Sequence, residues 1–224
     1  MPFHILGTSH IAHESVTQIQ HAFKTFSPDF VALELDPNRL YALLHPHQKT
    51  PTWELIRAIG IKGYLFAQLG KLVQQKLGKA IGMQPGIDLL TAIRIARHKK
   101  IPIFLIDQDI QITLRKISQQ LPWKEKFQFL KDLFHPSKES QLLKQNLRTV
   151  PSQELIRNVL THLKRYYPHL HRILVHERNQ YMIRQLQSIQ DHHPDKKILV
   201  VVGAGHEEEI RNAFLPPSGV KFIS

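Results

Sequence analysis

Four short apolar runs punctuate the chain, each closed by glycine or polar residues: Phe3-His-Ile-Leu6, Phe30-Val-Ala-Leu-Glu-Leu35, Ile103-Phe-Leu-Ile106 and, after Lys197, Ile198-Leu-Val-Val-Val202. Runs of this length, rich in β-branched and aromatic residues and bounded by turn formers, predict buried strands. Between them the apolar positions recur at helical spacing. Ile11 to Phe26 carries Val16, Ile19, Ala22 and Phe23 on one face, Asp36-Pro37 caps a helix through Leu44, and Ile87 to His98 forms another before Lys99. Trp53 to Leu77 is helical in pattern but broken near Gly60 and Gly63, and Gly78 to Gly86 reads as a mobile connector. After the third strand come Ile110–Gln120, Trp123–Phe134, Glu139–Leu147, Ser152–Tyr166 and Leu170–Ile189. A helix over His206–Phe214 and an edge strand over Val220–Ile223 close the chain. Strands alternating with helices predict an α/β fold with a largely parallel sheet and flanking helices. The helical stretch at about 110–190 is too long for one crossover, so it is expected as a helical insertion in a single domain spanning 1–224.

The 224 residues suffice for one such domain, which would bury roughly 70% of its unfolded surface. No run approaches the ~20 apolar residues of a membrane-spanning helix, and the N-terminus lacks a signal-peptide layout. The chain has no cysteine, which removes disulfides, thiolate catalysis and cysteine zinc sites and fits a cytoplasmic setting. The formal net charge is +12 and is uneven: residues 1–110 carry +4, residues 111–190 carry +9 and residues 191–224 carry −1. The basic middle segment could attract an anionic partner, nucleic acid or membrane surface. Its cations alternate with Leu, Ile and Phe at helical spacing, as on solvated helix faces, and no nucleic-acid motif accompanies them.

Chemistry concentrates where the strands end. The first gives Gly7-Thr-Ser-His10, the second Glu34-Leu-Asp36, the third Asp107-Gln-Asp109 and the fourth Gly203-Ala-Gly205-His206. Carboxyl ends of parallel strands form the ligand crevice of open α/β sheets, so these groups are expected to converge. A carboxylate such as Glu34, set within an apolar strand run, is costly unless paired or bound. Two histidines and one carboxylate match the donor set of a catalytic divalent ion: His10, Glu34 and His206, with zinc, manganese, cobalt or iron all compatible. Asp109 is a candidate helix N-cap, and Arg115 either marks a helix surface or reaches the crevice to bind an anion. Glu177-Arg178 lies on a helix whose default explanation is an apolar–polar face.

These motifs, in this order and with Pro85-Gly86 and Glu177-Arg178-Asn-Gln-Tyr-Met182, resemble the TraB/PrgY family, which includes pheromone-shutdown proteins and is similar to the Tiki metalloproteases. Erythromycin esterases and ChaN-like proteins are more remotely alike. The resemblance implies a metal-dependent hydrolase, most simply a peptidase, with His10, Glu34 and His206 in the active site. It also implies that Arg115, Glu177 and Arg178 line the same pocket, with Gly7, Asp107, Asp109, Gly203 and Gly205 supporting it. The substrate would be a peptide or other small molecule; the alternative is a protein that sequesters such a ligand without turnover. A homodimer is compatible with this reading. The chain departs from the family pattern at Gln108, where arginine is usual, and at Asp88, where glutamate is common. It also stops before the hydrophobic C-terminal region of many members, so no membrane anchor is expected.

Overall fold

The computed structural model describes residues 2–8, 12–45, 86–134 and 152–214, with scattered positions between 53 and 64. Its strands are β1 (Phe3–Thr8), β2 (Phe30–Leu33), β3 (Ile103–Leu105) and β4 (Ile198–Gly203). The helices before β3 are α1 (Ala12–Thr25), α2 (Pro37–Leu44) and α3 (Ile87–His98). Those between β3 and β4 are α4 (Ile110–Gln120), α5 (Trp123–Phe134), α6 (Ser152–Tyr166), α7 (Pro168–His171) and α8 (Glu177–His192), with a wider π-type turn at Arg172–His176 joining the last two. Finally α9 covers Ala204–Phe214.

The sheet is parallel throughout these strands, in the order β1-β4-β2-β3, with Gly7 opposite Val202, Ala32 opposite Val200 and Val31 opposite Ile103. The last strand in the chain therefore lies between the first two. That position explains its composition: Ile198 to Val202 are fully buried because both faces are covered. Ile198, Val200 and Val202 pack with Met182 and Leu186 of α8 and Ile210 of α9. Leu199 and Val201 face the other way, against Phe23 of α1 and Ala92 and Ile93 of α3. The period of two in the strand thus sorts one apolar run into two cores.

The order also creates a reversal point. After β2 the chain leaves toward α2 and α3 on one face of the sheet, whereas after β4 it enters α9 on the opposite face. Adjacent parallel strands whose continuations diverge leave a crevice at their carboxyl ends, the usual ligand position in open α/β sheets.

The expected α/β architecture is present, with local differences. β2 stops at Leu33, so Glu34 stands just past the strand rather than inside it. β4 runs through Gly203 and passes straight into α9 at Ala204, where a glycine loop and a later helix start were expected. The expected helix over Leu170–Ile189 begins earlier, at α7, and runs to His192 through the π turn. Ile117 of α4 and Leu121 just after it pack with Tyr167, Leu170 and Ile173, tying the start of the helical stretch to its later part. The bulk of the helical pattern over 53–77, most of the connector, the Glu139–Leu147 helix and the edge strand at 220–223 lie outside the described residues. Among the described residues no helix is long and apolar enough to cross a membrane.

Candidate functional site

Glu34 is built into the crevice by its position one residue beyond β2. Its backbone N–H donates to Val201 O at 3.1 Å, and its side chain lies over the end of β4. Oε2 accepts the Gly203 N–H at 2.6 Å, and Oε1 accepts from Arg178 Nη2 at 2.6 Å. Burial pushes the Glu34 carboxyl up, but His206, Arg178 and the Gly203 N–H outweigh it and bring its pKa down to about 2.

Arg178, in the first turn of α8, joins two strand ends. Its Nε donates to Asp107 Oδ1 at 3.0 Å and its Nη2 to Asp107 Oδ2 at 2.7 Å, while the same Nη2 reaches Glu34. Nη1 donates to Leu174 O at 3.1 Å, within the π turn, which aims the guanidinium into the crevice. Burial opposes its charge, but Glu34 and Asp107 prevail and push its pKa further up. Arg39, from α2, donates through Nη1 to Asp107 Oδ2 at 2.6 Å and keeps a third of its side chain exposed. Two buried carboxylates and two guanidiniums thus form one compensated network, the condition under which such charges persist out of water.

His206, third residue of α9, completes the cluster. Its Nδ1 lies 2.5 Å from Asn179 Oδ1, and its Nε2 lies 3.4 Å from Glu34 Oε1. Burial lowers its pKa below the ordinary imidazole value; Glu34 opposes this and Arg178 adds to it, and the net lowering leaves the ring neutral at pH 7. The Asn179 amide has a defined orientation because Nδ2 donates to Glu209 Oε2 at 2.5 Å, and a carboxylate oxygen only accepts. Oδ1 therefore faces the ring and takes the Nδ1 proton. The Nε2 lone pair is left facing a carboxylate oxygen. Two acceptors at 3.4 Å repel unless a hydrogen-bond donor or a cation serves both.

That arrangement provides a test of the expected metal. Nε2 and a carboxylate oxygen at this separation can both bind one ion at ~2.0–2.2 Å, and a ring Nδ1–H donated to an oxygen acceptor is the outer support that histidine ligands have. The donors present fit a divalent ion as two of its ligands. Among the described residues no group of three histidine or carboxylate donors closes on one point, and His10 lies outside those residues.

The other candidates take distinct places. Asp109 caps α4, accepting from Gln111 N at 2.8 Å, and also accepts from Asn38 Nδ2 at 3.1 Å. Glu177 pairs with Lys116 Nζ at 2.7 Å and Arg172 Nε at 3.3 Å, on the α4 side of the cluster. Arg115 is exposed on α4 beside Lys116. Gln108 is buried, donates to Thr113 Oγ1 at 3.0 Å and accepts from Lys116 Nζ at 3.4 Å. Where the family pattern has an arginine, this chain has a neutral amide with a lysine beside it. Asp88, from α3, is buried and accepts the Thr8 hydroxyl at 2.6 Å at the end of β1.

The two glycine motifs are not equivalent in packing. A Cβ on Gly7 would sit 2.8 Å from Glu207 Cβ, so glycine lets the first turn of α9 approach β1. A Cβ on Gly205 would meet Leu160 Cδ1 at 3.5 Å, an ordinary contact. Gly7→Ala is expected to lower stability by about 1–3 kcal/mol, the range for overpacking. Gly205→Ala is expected to be neutral or to stabilise by up to about 1 kcal/mol, the helix preference of alanine over glycine. Urea unfolding of the two variants checks the contrast, and equal losses would refute it.

Arg39, Asn179 and Glu209 were not singled out by sequence reasoning. Arg39 follows Glu34-Leu-Asp-Pro-Asn and carries a visible signal, a basic residue in the first turn after a strand end. Asn179 and Glu209 each look like ordinary helix-surface residues until α8 and α9 are brought together.

The fold and this cluster define an open parallel α/β protein with two carboxylates, a histidine and two arginines at its strand reversal. The chain belongs to the TraB/PrgY/gumN family, whose profile matches residues 2–210. It is 29% identical over 212 residues to an uncharacterized protein of Methanocaldococcus jannaschii, covering 92% of this chain and 52% of that protein. It is 25% identical over 229 residues to a TraB domain-containing protein of Homo sapiens, covering 91% and 60% respectively, and 24% identical to the Mus musculus protein of the same name. The chain thus spans between about half and three fifths of the length of these curated relatives.

Proposed function

We propose that this protein is a metal-dependent hydrolase acting on an acyl bond, most simply a peptide bond, at the crevice between β2 and β4. The observation that carries the reading is the pair of facing acceptors, Glu34 Oε1 and His206 Nε2, 3.4 Å apart. An ion held by Glu34, His206 and His10 would supply Lewis acidity for a carbonyl and for water; manganese, cobalt, zinc and iron all suit these donors. Glu34 acts here as a ligand. A carboxylate whose pKa is held at about 2 is a poor general base at neutral pH. Arg178 keeps Glu34 charged and oriented. Arg39, bound to Asp107 and a third exposed, is the guanidinium of the network available to receive a substrate carboxylate or developing oxyanion.

The test is to purify the chain without chelator, measure its metal content, and incubate it with a mixture of peptides under mass-spectrometric readout. A bound divalent ion and new peptide termini, both lost in His206→Ala, are expected. Retention of a peptide without cleavage would instead favour a sequestering protein. Absence of metal, binding and cleavage alike would refute the proposal.

A further inference from the structure

We infer that Asn179, oriented by Glu209, is the positioning residue that selects the tautomer of His206. The ring contacts two acceptor groups, Asn179 Oδ1 at 2.5 Å and Glu34 Oε1 at 3.4 Å, and a neutral imidazole has one N–H to share between them. Left to electrostatics, the proton belongs on Nε2, beside the charged carboxylate. A charged acceptor binds an N–H about twice as strongly as a neutral amide does. The shorter distance to Asn179 reverses that preference.

Asn179 can do this because its amide cannot turn over. Nδ2 donates to Glu209 Oε2 at 2.5 Å, and a flipped amide would set its oxygen against that carboxylate and its NH₂ against the ring. Glu209 is itself held, since Oε1 lies 3.1 Å from His176 Nδ1 and accepts from Gln180 Nε2 at 3.4 Å. Asn179 is buried, while Glu209 and His176 are partly exposed, so the chain of contacts runs from the crevice to the surface between α8 and α9. Its consequence is a fixed Nε2 lone pair directed toward Glu34. The part of this that concerns metal rests on the hydrolase reading; the tautomer does not.

The experiment is ¹⁵N NMR of the full chain with labelled histidine at pH 8, the His206 signals being identified by their loss in His206→Gln. In the wild type the proton is expected on Nδ1. In Asn179→Leu it should move to Nε2, where Glu34 accepts it. Glu209→Gln, a milder change at a partly exposed side chain, should give a mixture of the two tautomers because a carboxamide tolerates either amide orientation. Zinc or cobalt alone, titrated into each protein, should bind about 10–100-fold more weakly to Asn179→Leu, the usual loss when an outer support is removed. If His206 keeps its proton on Nδ1 in Glu209→Gln and in folded Asn179→Leu, the inference is overturned. If the tautomer moves while neither protein binds metal, the positioning role stands and the metal-dependent reading falls.

Discussion

Replacing Arg178 with methionine is expected to cost about 3–5 kcal/mol of folding stability at pH 7, the range for removing one partner of a buried ion pair. The guanidinium donates to Glu34 once and to Asp107 twice, and its side chain is only 14% exposed. Methionine fills the space but leaves two carboxylates with Arg39 as the remaining guanidinium in the network. Arg178→Lys should recover part of the loss, since it restores charge without the planar fork that spans both acids.

The loss should depend on pH in a defined direction. Glu34 titrates at about 2 in the fold against 4.5 ordinarily. A carboxyl so depressed contributes stability that is complete above pH 4.5 and fades as pH falls toward 2. Without Arg178 that contribution shrinks, so wild type and variant should converge over this window. His206 adds a second acid-sensitive contribution. Its lowered pKa means that the unfolded chain takes up the proton more readily, so stability falls as pH drops below 6.5, and less so in the variant, where the Arg178 charge no longer helps to lower that pKa. Urea unfolding at pH 7, 4.5 and 3 measures both effects. A methionine variant within about 1 kcal/mol of wild type at pH 7 would show that Arg178 does not tie the network together.

The second large effect concerns turnover. Glu34→Gln and His206→Ala are each expected to lower kcat/KM for peptide cleavage by on the order of 10²–10³, the loss typical of one preorganised group. The double variant should be little worse than either single one, because two donors serving one ion act as a unit. Additive losses, with the double variant near the product of the singles, would mean that the residues act independently and would count against a shared centre. Glutamine at 34 also removes the charge opposite Arg178, so each kinetic measurement should be paired with an unfolding curve.

The alternation of apolar runs and helical spacings was enough to find the four parallel strands and the intervening helices that the structure describes. The reason is local: buried parallel strands need near-continuous apolar residues, and their neighbouring helices need one apolar face. Element ends were less legible. Leu35 extended the apolar run of β2 by two residues, although Glu34 already bonds through its side chain to Gly203. The start of α9 was likewise hidden, since Ala204 and Gly205 look like loop residues in isolation.

For the site, the sequence was informative wherever a residue's cost was visible locally. A carboxylate set in an apolar run, as at Glu34, requires a partner whatever the topology, while the histidine at 206 was marked by its place after a strand end. Asp107 was marked by its place at the end of the third strand. The sequence by itself thus determined the parallel α/β class and which strand-end groups were candidates for the crevice, because burial and backbone periodicity act over a few residues. Only the tertiary structure decided what pairs with them. The insertion of β4 between β1 and β2 brings Gly203 to Glu34 across 169 positions, and the packing of α8 beside α9 brings Asn179 to His206. Arg178 reaches Glu34 and Asp107 only because the helical stretch returns to the crevice on α8. Such contacts depend on strand order and helix placement, which no short stretch of the chain encodes.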